Sequence, residues 1–295
     1  MTVVNQTTDL YQISVTVFLS SESVLTFLLS FIVVLTFLRS NVLHSRKEFA
    51  ILAALAFTDC LSSLGFFFLG LWLLAPFQQS HCITPHFVLL TLGNTSNCLM
   101  LVCVSLDRLL SVAAPVQYFK FTVNYAKVMI VSCFVPAFCF SCATIAMAGS
   151  RVGMSMPSTC PLPLVVGSFS RFYSLTQALA GVISVLLYVC IPLVYGLRIN
   201  TVADGQIQTA NSSSNRQRKL VKIMGVSTFF TFIFLIIPLM LRAWFGLRID
   251  NTLVAVFRNL NGLANFWLYF LGHKSMRKAM VYCLKGKELP PNFDQ

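Results

Sequence analysis

The chain has 295 residues, 57% of them hydrophobic and only 10% charged, and its mean hydropathy is +0.78. A soluble domain carries roughly 25% charged residues, so this composition excludes one and calls for a lipid bilayer as partner. The net charge of +12 could suggest nucleic acid, but its placement along the chain argues against that.

A helix needs about 20 mostly apolar residues to span a bilayer. Seven stretches qualify: 14–38, 49–75, 83–110, 126–149, 169–199, 219–245 and 251–272. The predicted fold is an all-α integral membrane protein, a seven-transmembrane helix bundle with no sizeable soluble domain. Residues 1–13 are read as an extracellular tail, 14–272 as the membrane domain, and 273–295 as an amphipathic helix with a cytoplasmic tail.

No Lys or Arg precedes Arg39, so the first stretch lacks the positive start of a signal peptide and is read as an uncleaved first helix. Asn5-Gln6-Thr7 is a glycosylation sequon on the outer side. The second span holds an acid, Asp59, within Leu55-Ala56-Phe57-Thr58-Asp59. In the third, Asn94, Asn97 and Arg108 share one helical face. That span ends in Asp107-Arg108, followed by Pro115 and Tyr118.

Pro192 in the fifth span and Pro238 in the sixth are predicted kinks, because proline removes a backbone hydrogen bond. Asn211-Ser212-Ser213-Ser214-Asn215 reads as a mobile loop. In the seventh span Arg258, Asn261, Asn265 and Tyr269 share a face. Polar groups inside a membrane are functional candidates by default. Asp59 needs partners there, which Asn97, Asn261 and Asn265 can supply, with water or a sodium ion completing the set. The alternative is that these amides only join helices.

The basic residues fix the topology. With the amino terminus outside, 16 of the 21 Lys and Arg residues fall on cytoplasmic segments, among them Arg39, Arg46, Lys47, Lys120, Lys219, Lys222 and Lys274. The outer loops hold only Arg151, Arg171, Arg242 and Arg248. The positive-inside rule then places the carboxyl terminus inside. Of ten cysteines, seven lie in apolar spans. Cys82 and Cys160 face the oxidising side, where a bridge would pin a loop over the bundle mouth. Two free thiols are the alternative. Cys283 could carry palmitate.

Other classes fit less well. A seven-helix ligand-gated channel would usually have the opposite orientation. His44, His81, His86 and His273 fall on opposite sides of the membrane with no metal spacing, and no phosphate-cradling Gly-rich loop is present, so an enzyme is not indicated.

Several of these elements resemble the rhodopsin-like G-protein-coupled receptors. Asp107-Arg108 resembles their third-helix switch, and Leu55-Ala56-Phe57-Thr58-Asp59 their second-helix signature. Asn261-Gly262-Leu263-Ala264-Asn265-Phe266-Trp267-Leu268-Tyr269 is similar to their seventh-helix Asn-Pro-x-x-Tyr element. Lys274 to Met280 resembles the amphipathic helix that follows. Within the family, Met100-Leu101, the Asp107-Arg108-Leu109 run and Cys160-Pro161-Leu162-Pro163 look most like the nematode serpentine chemoreceptors of the Srsx type. There are departures. Ser30 replaces the first-helix Asn, Leu109 the Tyr after the Arg, Ile236 the sixth-helix Trp and Phe266 the seventh-helix Pro, and the fourth-helix Trp is absent.

The resemblance implies a plasma-membrane receptor, not an enzyme, with no cofactor. An extracellular small molecule or peptide would favour an outward swing of the sixth helix at Pro238. Arg108, paired with Asp107 at rest, would then contact a heterotrimeric G protein as Tyr269 moves inward. An orphan neuropeptide-type receptor and a non-coupling decoy remain alternatives. By family position the pocket is lined by Leu90, Thr91, Asn94, Leu239, Met240, Ala255, Arg258 and Asn259. Leu90 where amine receptors place Asp disfavours an amine, and Asn259 where opsins place Lys disfavours light sensing. Arg258 lies about 10 Å inside its helix at ~1.5 Å per residue. It could pair with Glu22 of the first helix, receive an acidic ligand group, or snorkel to the interface.

Overall fold

Helix α1 (Thr2–Arg39) begins the bundle and is followed by the short α2 (Asn41–His44). Then come α3 (Lys47–Leu74), α4 (Pro85–Ala113), α5 (Pro115–Lys120), α6 (Val123–Gly149) and α7 (Phe169–Ala203). A π-helical segment, π1 (Phe232–Ile236), runs directly into α8 (Ile237–Trp244). Helix α9 (Asn251–Gly272) and α10 (Lys274–Leu284) close the chain. The computed structural model describes residues 2–74, 85–149, 169–203, 226, 229–244, 251–272 and 274–286. All regular structure among the described residues is helical.

Five helices, α1, α3, α4, α6 and α7, are long and apolar enough to cross a membrane. Burial separates them into two groups. In α3 and α4, 67% and 61% of the apolar window is buried, against 33%, 28% and 28% in α1, α6 and α7. The outer helices show large apolar side chains along one side. Val128, Val131, Val135 and Phe138 do so on α6, and Leu179, Ile183 and Leu186 on α7. Such long apolar exposed faces suit lipid.

Helix α3 packs between α1 and α4, α4 in turn touches α6 and α7, and α9 returns against α1. The main core gathers Phe49, Ile51, Leu55, Met100, Leu101, Leu235 and Phe266, with Met276 and Met280 of α10 closing one end. Helix α10 buries Met276, Ala279 and Met280 on one side, the i, i+3, i+4 spacing of an amphipathic helix.

Small residues set two close approaches. A Cβ on Gly93 of α4 would lie 2.6 Å from the backbone nitrogen of Ser62 on α3, so glycine alone lets these helices meet. A Cβ on Gly181 of α7 would lie 3.0 Å from Cγ1 of Ile236, which is 1% exposed.

The residues predicted as a tail, 1–13, are helical from Thr2. Helix can extend past the apolar window because each added residue gains one hydrogen bond for one residue fixed, with no new nucleation cost. The third span ends three residues later than predicted, at Ala113, where Pro115 disfavours helix in its neighbour Ala114 (φ −139°). Pro192 lies inside α7 and Pro238 at the second position of α8, and Pro136, not singled out from the sequence, lies inside α6. Ahead of Pro238 the Ile237 N–H bonds to the Phe232 carbonyl, five residues back. Such π turns are rare and occur mostly at functional sites.

Candidate functional site

At the end of α4, Asp107 is 1% and Arg108 5% exposed. Arg108 Nε lies 3.8 Å from Asp107 Oδ2, and its Nη1 lies 4.0 Å from Glu48 Oε2 at the start of α3. Burying such a pair is unfavourable unless further groups complete it. Tyr118 does so. Pro115 opens α5 at its first position, where a missing N–H costs nothing, and the short helix carries Tyr118 back under α4. Its phenol donates to both Asp107 oxygens, at 3.0 and 3.1 Å. Burial first, and then the Asp107 carboxylate, push that phenol well above the usual tyrosine range, so it remains a donor at physiological pH.

Lys47 fastens the turn from α3. Its ammonium donates to the carbonyls of Tyr118 and Phe121 and lies 3.6 Å from the centre of the Tyr118 ring. One turn before Arg108, the Ser105 and Ser184 hydroxyls meet at 2.7 Å and join α4 to α7. The sequence pointed to Asp107, Arg108, Pro115 and Tyr118. It did not reveal Tyr118 as the partner of Asp107, nor Lys47 and Glu48. A basic–acidic pair opening a helix beside a membrane was the available signal.

The second cluster lies between α3, α4 and α9. Asn97 Nδ2 donates to Asp59 Oδ1 at 2.5 Å and to Thr58 Oγ1 at 3.2 Å. Asn265 reaches toward the same carboxyl, although its Nδ2 makes no hydrogen bond of ordinary geometry. Asn261 is buried with Oδ1 unpaired. Thr26, Asp59, Ser62, Asn97, Arg258 and Gly262 surround a cavity of about 10 Å³, room for about one water-sized guest. The Asp59 carboxylate and the unpaired hydroxyl of Ser62 give this cavity oxygen donors of the kind that hard cations such as sodium take.

Replacing Asn97 by Ala should lower stability by about 1.5–3 kcal/mol, since it strips a buried carboxylate of its amide. The unfolding temperature in lipid nanodiscs measures this. Asp59→Asn added to Asn97→Ala should restore part of the loss, and a further fall would refute the account.

The residues predicted for the pocket divide. Thr91, Asn94, Ala255 and Asn259 are buried, and Leu90, Met240 and Arg258 are half-buried. Leu90 and Ala255 share an apolar cluster with Leu19 and Phe66. Thr91 Oγ1 turns to its own helix at Phe87 O. Asn259 faces α1, donating to Ser23 Oγ at 2.7 Å. Arg258 points the other way, its Nη2 donating to Gln177 Oε1 of α7 at 3.0 Å. Both Glu22 oxygens lack hydrogen-bond partners, so a Glu22–Arg258 pair is not formed. Leu239 and Tyr269 lie on described helices with side chains outside the described part, as does Asn5, while Cys82 and Cys160 lie outside it altogether.

The sequence profile described as 7 transmembrane receptor (rhodopsin family) matches residues 30–261. The chain belongs to that family. No curated protein matches it. Rhodopsin-family members are receptors rather than enzymes, sit in a membrane, and have G proteins as partners. Within this receptor, the matched region takes in Asp59 with Asn97, and Asp107 with Arg108.

Proposed function

We propose that this receptor is chemosensory, of the Srsx type, and lies in the plasma membrane with its amino terminus outside. It takes a small molecule or short peptide from the outer side and activates a heterotrimeric G protein through Arg108. The observation that carries this reading is the covered arginine. Arg108 is buried at the end of α4, beside an Asp107 that Tyr118 holds from a separate helix. An arginine kept in this way can be released by a modest rearrangement. The basic excess on one set of loops supports the orientation.

Release would come from the segment around Pro238, where the π turn and the missing proline N–H leave the helix able to bend. A ligand shifts that balance only by its differential affinity for the two arrangements. A sodium ion at Asp59, with the Ser62 hydroxyl beside it, would neutralise the buried carboxylate and favour the arrangement that keeps this cavity. A Cys82–Cys160 bridge over the mouth, a glycan at Asn5, α10 lying along the cytoplasmic face and an inward swing of Tyr269 belong to the same reading.

Arg108→Ala should reduce nucleotide exchange on purified Gα to background while surface labelling of the receptor persists. Undiminished exchange by that variant would remove Arg108 from the mechanism. A second reading, a receptor that binds but does not couple, is favoured by Ile236 and Phe266 standing where the family usually has Trp and Pro. It expects wild type and Arg108→Ala to be equally silent with each Gα class.

A further inference from the structure

Among the described residues Arg258 forms no ion pair with a carboxylate. Its guanidinium makes one hydrogen bond, to Gln177, and its Nε has no partner. Asp59 lines the same small cavity as Arg258 but pairs within its own cluster, and the other described acids have other partners or none. Asp59 is engaged by Asn97 and Asp107 by Tyr118 and Arg108, while Glu22 stands unpaired on α1. Gln177 is 3% exposed, and its Nε2 donor reaches toward the Tyr173 hydroxyl without a hydrogen bond of ordinary geometry.

Two helices thus bring unsatisfied N–H donors to one place, and one of them carries a positive charge. Leaving such groups unmet in a low dielectric is strongly unfavourable. A guanidinium presents its donors as a planar fork, and that fork matches the two oxygens of a carboxylate. Toward the start of α4 and α9 lies an apolar cluster of Leu90, Ala255 and, from α3, Phe66. Asn94, on the α4 face one turn beyond Leu90, keeps an unpaired Oδ1 that can accept from an O–H or N–H.

We propose that the ligand of this receptor is a small organic acid whose carboxylate is bound by Arg258 and Gln177 and whose carbon skeleton lies on Leu90, Phe66 and Ala255. This rests on the receptor reading above and concerns the ligand alone. By this assignment the ligand carboxylate fills the role that a buried counter-ion to Arg258 would otherwise have to fill.

The test uses the full chain in lipid nanodiscs with butyrate, octanoate and phenylacetate as probes, each beside its primary amide, and octylamine as a cationic control. At least one acid should raise the unfolding temperature saturably, and its amide and the amine should not. Arg258→Gln should weaken the apparent affinity at least about thirtyfold, Arg258→Lys less, and Gln177→Leu about tenfold. If Arg258→Gln does not fold, the matched acid and amide on wild type and the Gln177→Leu variant still decide the matter. Equal shifts from acid and amide, acid binding unchanged by Gln177→Leu and Arg258→Gln, or no shift from any acid would each overturn the assignment. Nucleotide exchange on Gα is read separately. Acid binding without exchange would uphold the assignment and count against coupling. Exchange without acid binding would do the reverse.

Discussion

Gly93→Leu should take the receptor off the cell surface, while Gly196→Leu leaves its surface level unchanged. At Gly93 even a single Cβ would stand 2.6 Å from the Ser62 nitrogen and 2.9 Å from its Cα. The obstacle is backbone, which no side-chain rotation can move. Overpacking usually costs about 1–3 kcal/mol, and a leucine against a neighbouring helix backbone belongs at or beyond the upper end. The damage also travels one turn along. Asn97 follows Gly93 by four residues and lies on the same face, so parting α3 from α4 stretches the Asn97–Asp59 bond and strands a buried acid. Gly196, by contrast, has open space where its Cβ would be. Labelling of surface receptor in transfected cells reads both variants, and a normal level for Gly93→Leu would refute the close approach.

Tyr118→Phe should raise basal nucleotide exchange about tenfold or more without loss of surface receptor. The substitution keeps the ring and its edge contact with Phe121 and removes only the hydroxyl that spans the two Asp107 oxygens. A hydrogen bond to a charged group is worth about 1.5–3 kcal/mol, and every 1.4 kcal/mol is a factor of ten in a two-state balance. The bond belongs to the arrangement with α5 under α4 and Arg108 covered, so its loss should favour release. A basal rate equal to wild type at matched expression would show that Tyr118 does not restrain the switch.

Much of the bundle was legible because hydropathy and length report membrane spans directly. The described ends of α3, α4, α6 and α7 lie within a few residues of the expected ones, and Asp59 was conspicuous as an acid in an apolar run. Its tie to Asn97 followed from needing a donor nearby. Two features escaped for physical reasons. Depth along a helix is readable from sequence, but the direction a long side chain takes across the bundle is not. Arg258 and Glu22 were therefore matched by depth, although Arg258 turns to Gln177 instead. The π turn at Phe232–Ile236 arises from a shift in hydrogen-bond partner, which leaves no mark in composition or periodicity. The Lys47 clamp was hidden because a lysine at a span boundary normally reads as topology.

Ile236 and Gly181 carry a consequence for descent. The isoleucine stands where the family usually has Trp, and it already lies close enough that one carbon added to Gly181 would press on it at 3.0 Å. Enlarging either partner first overfills the seam between α7 and π1. Either change alone asks Ile236 to give way, so among relatives of this receptor the two positions should covary, with a bulkier residue opposite Gly181 found mostly where that seam has widened.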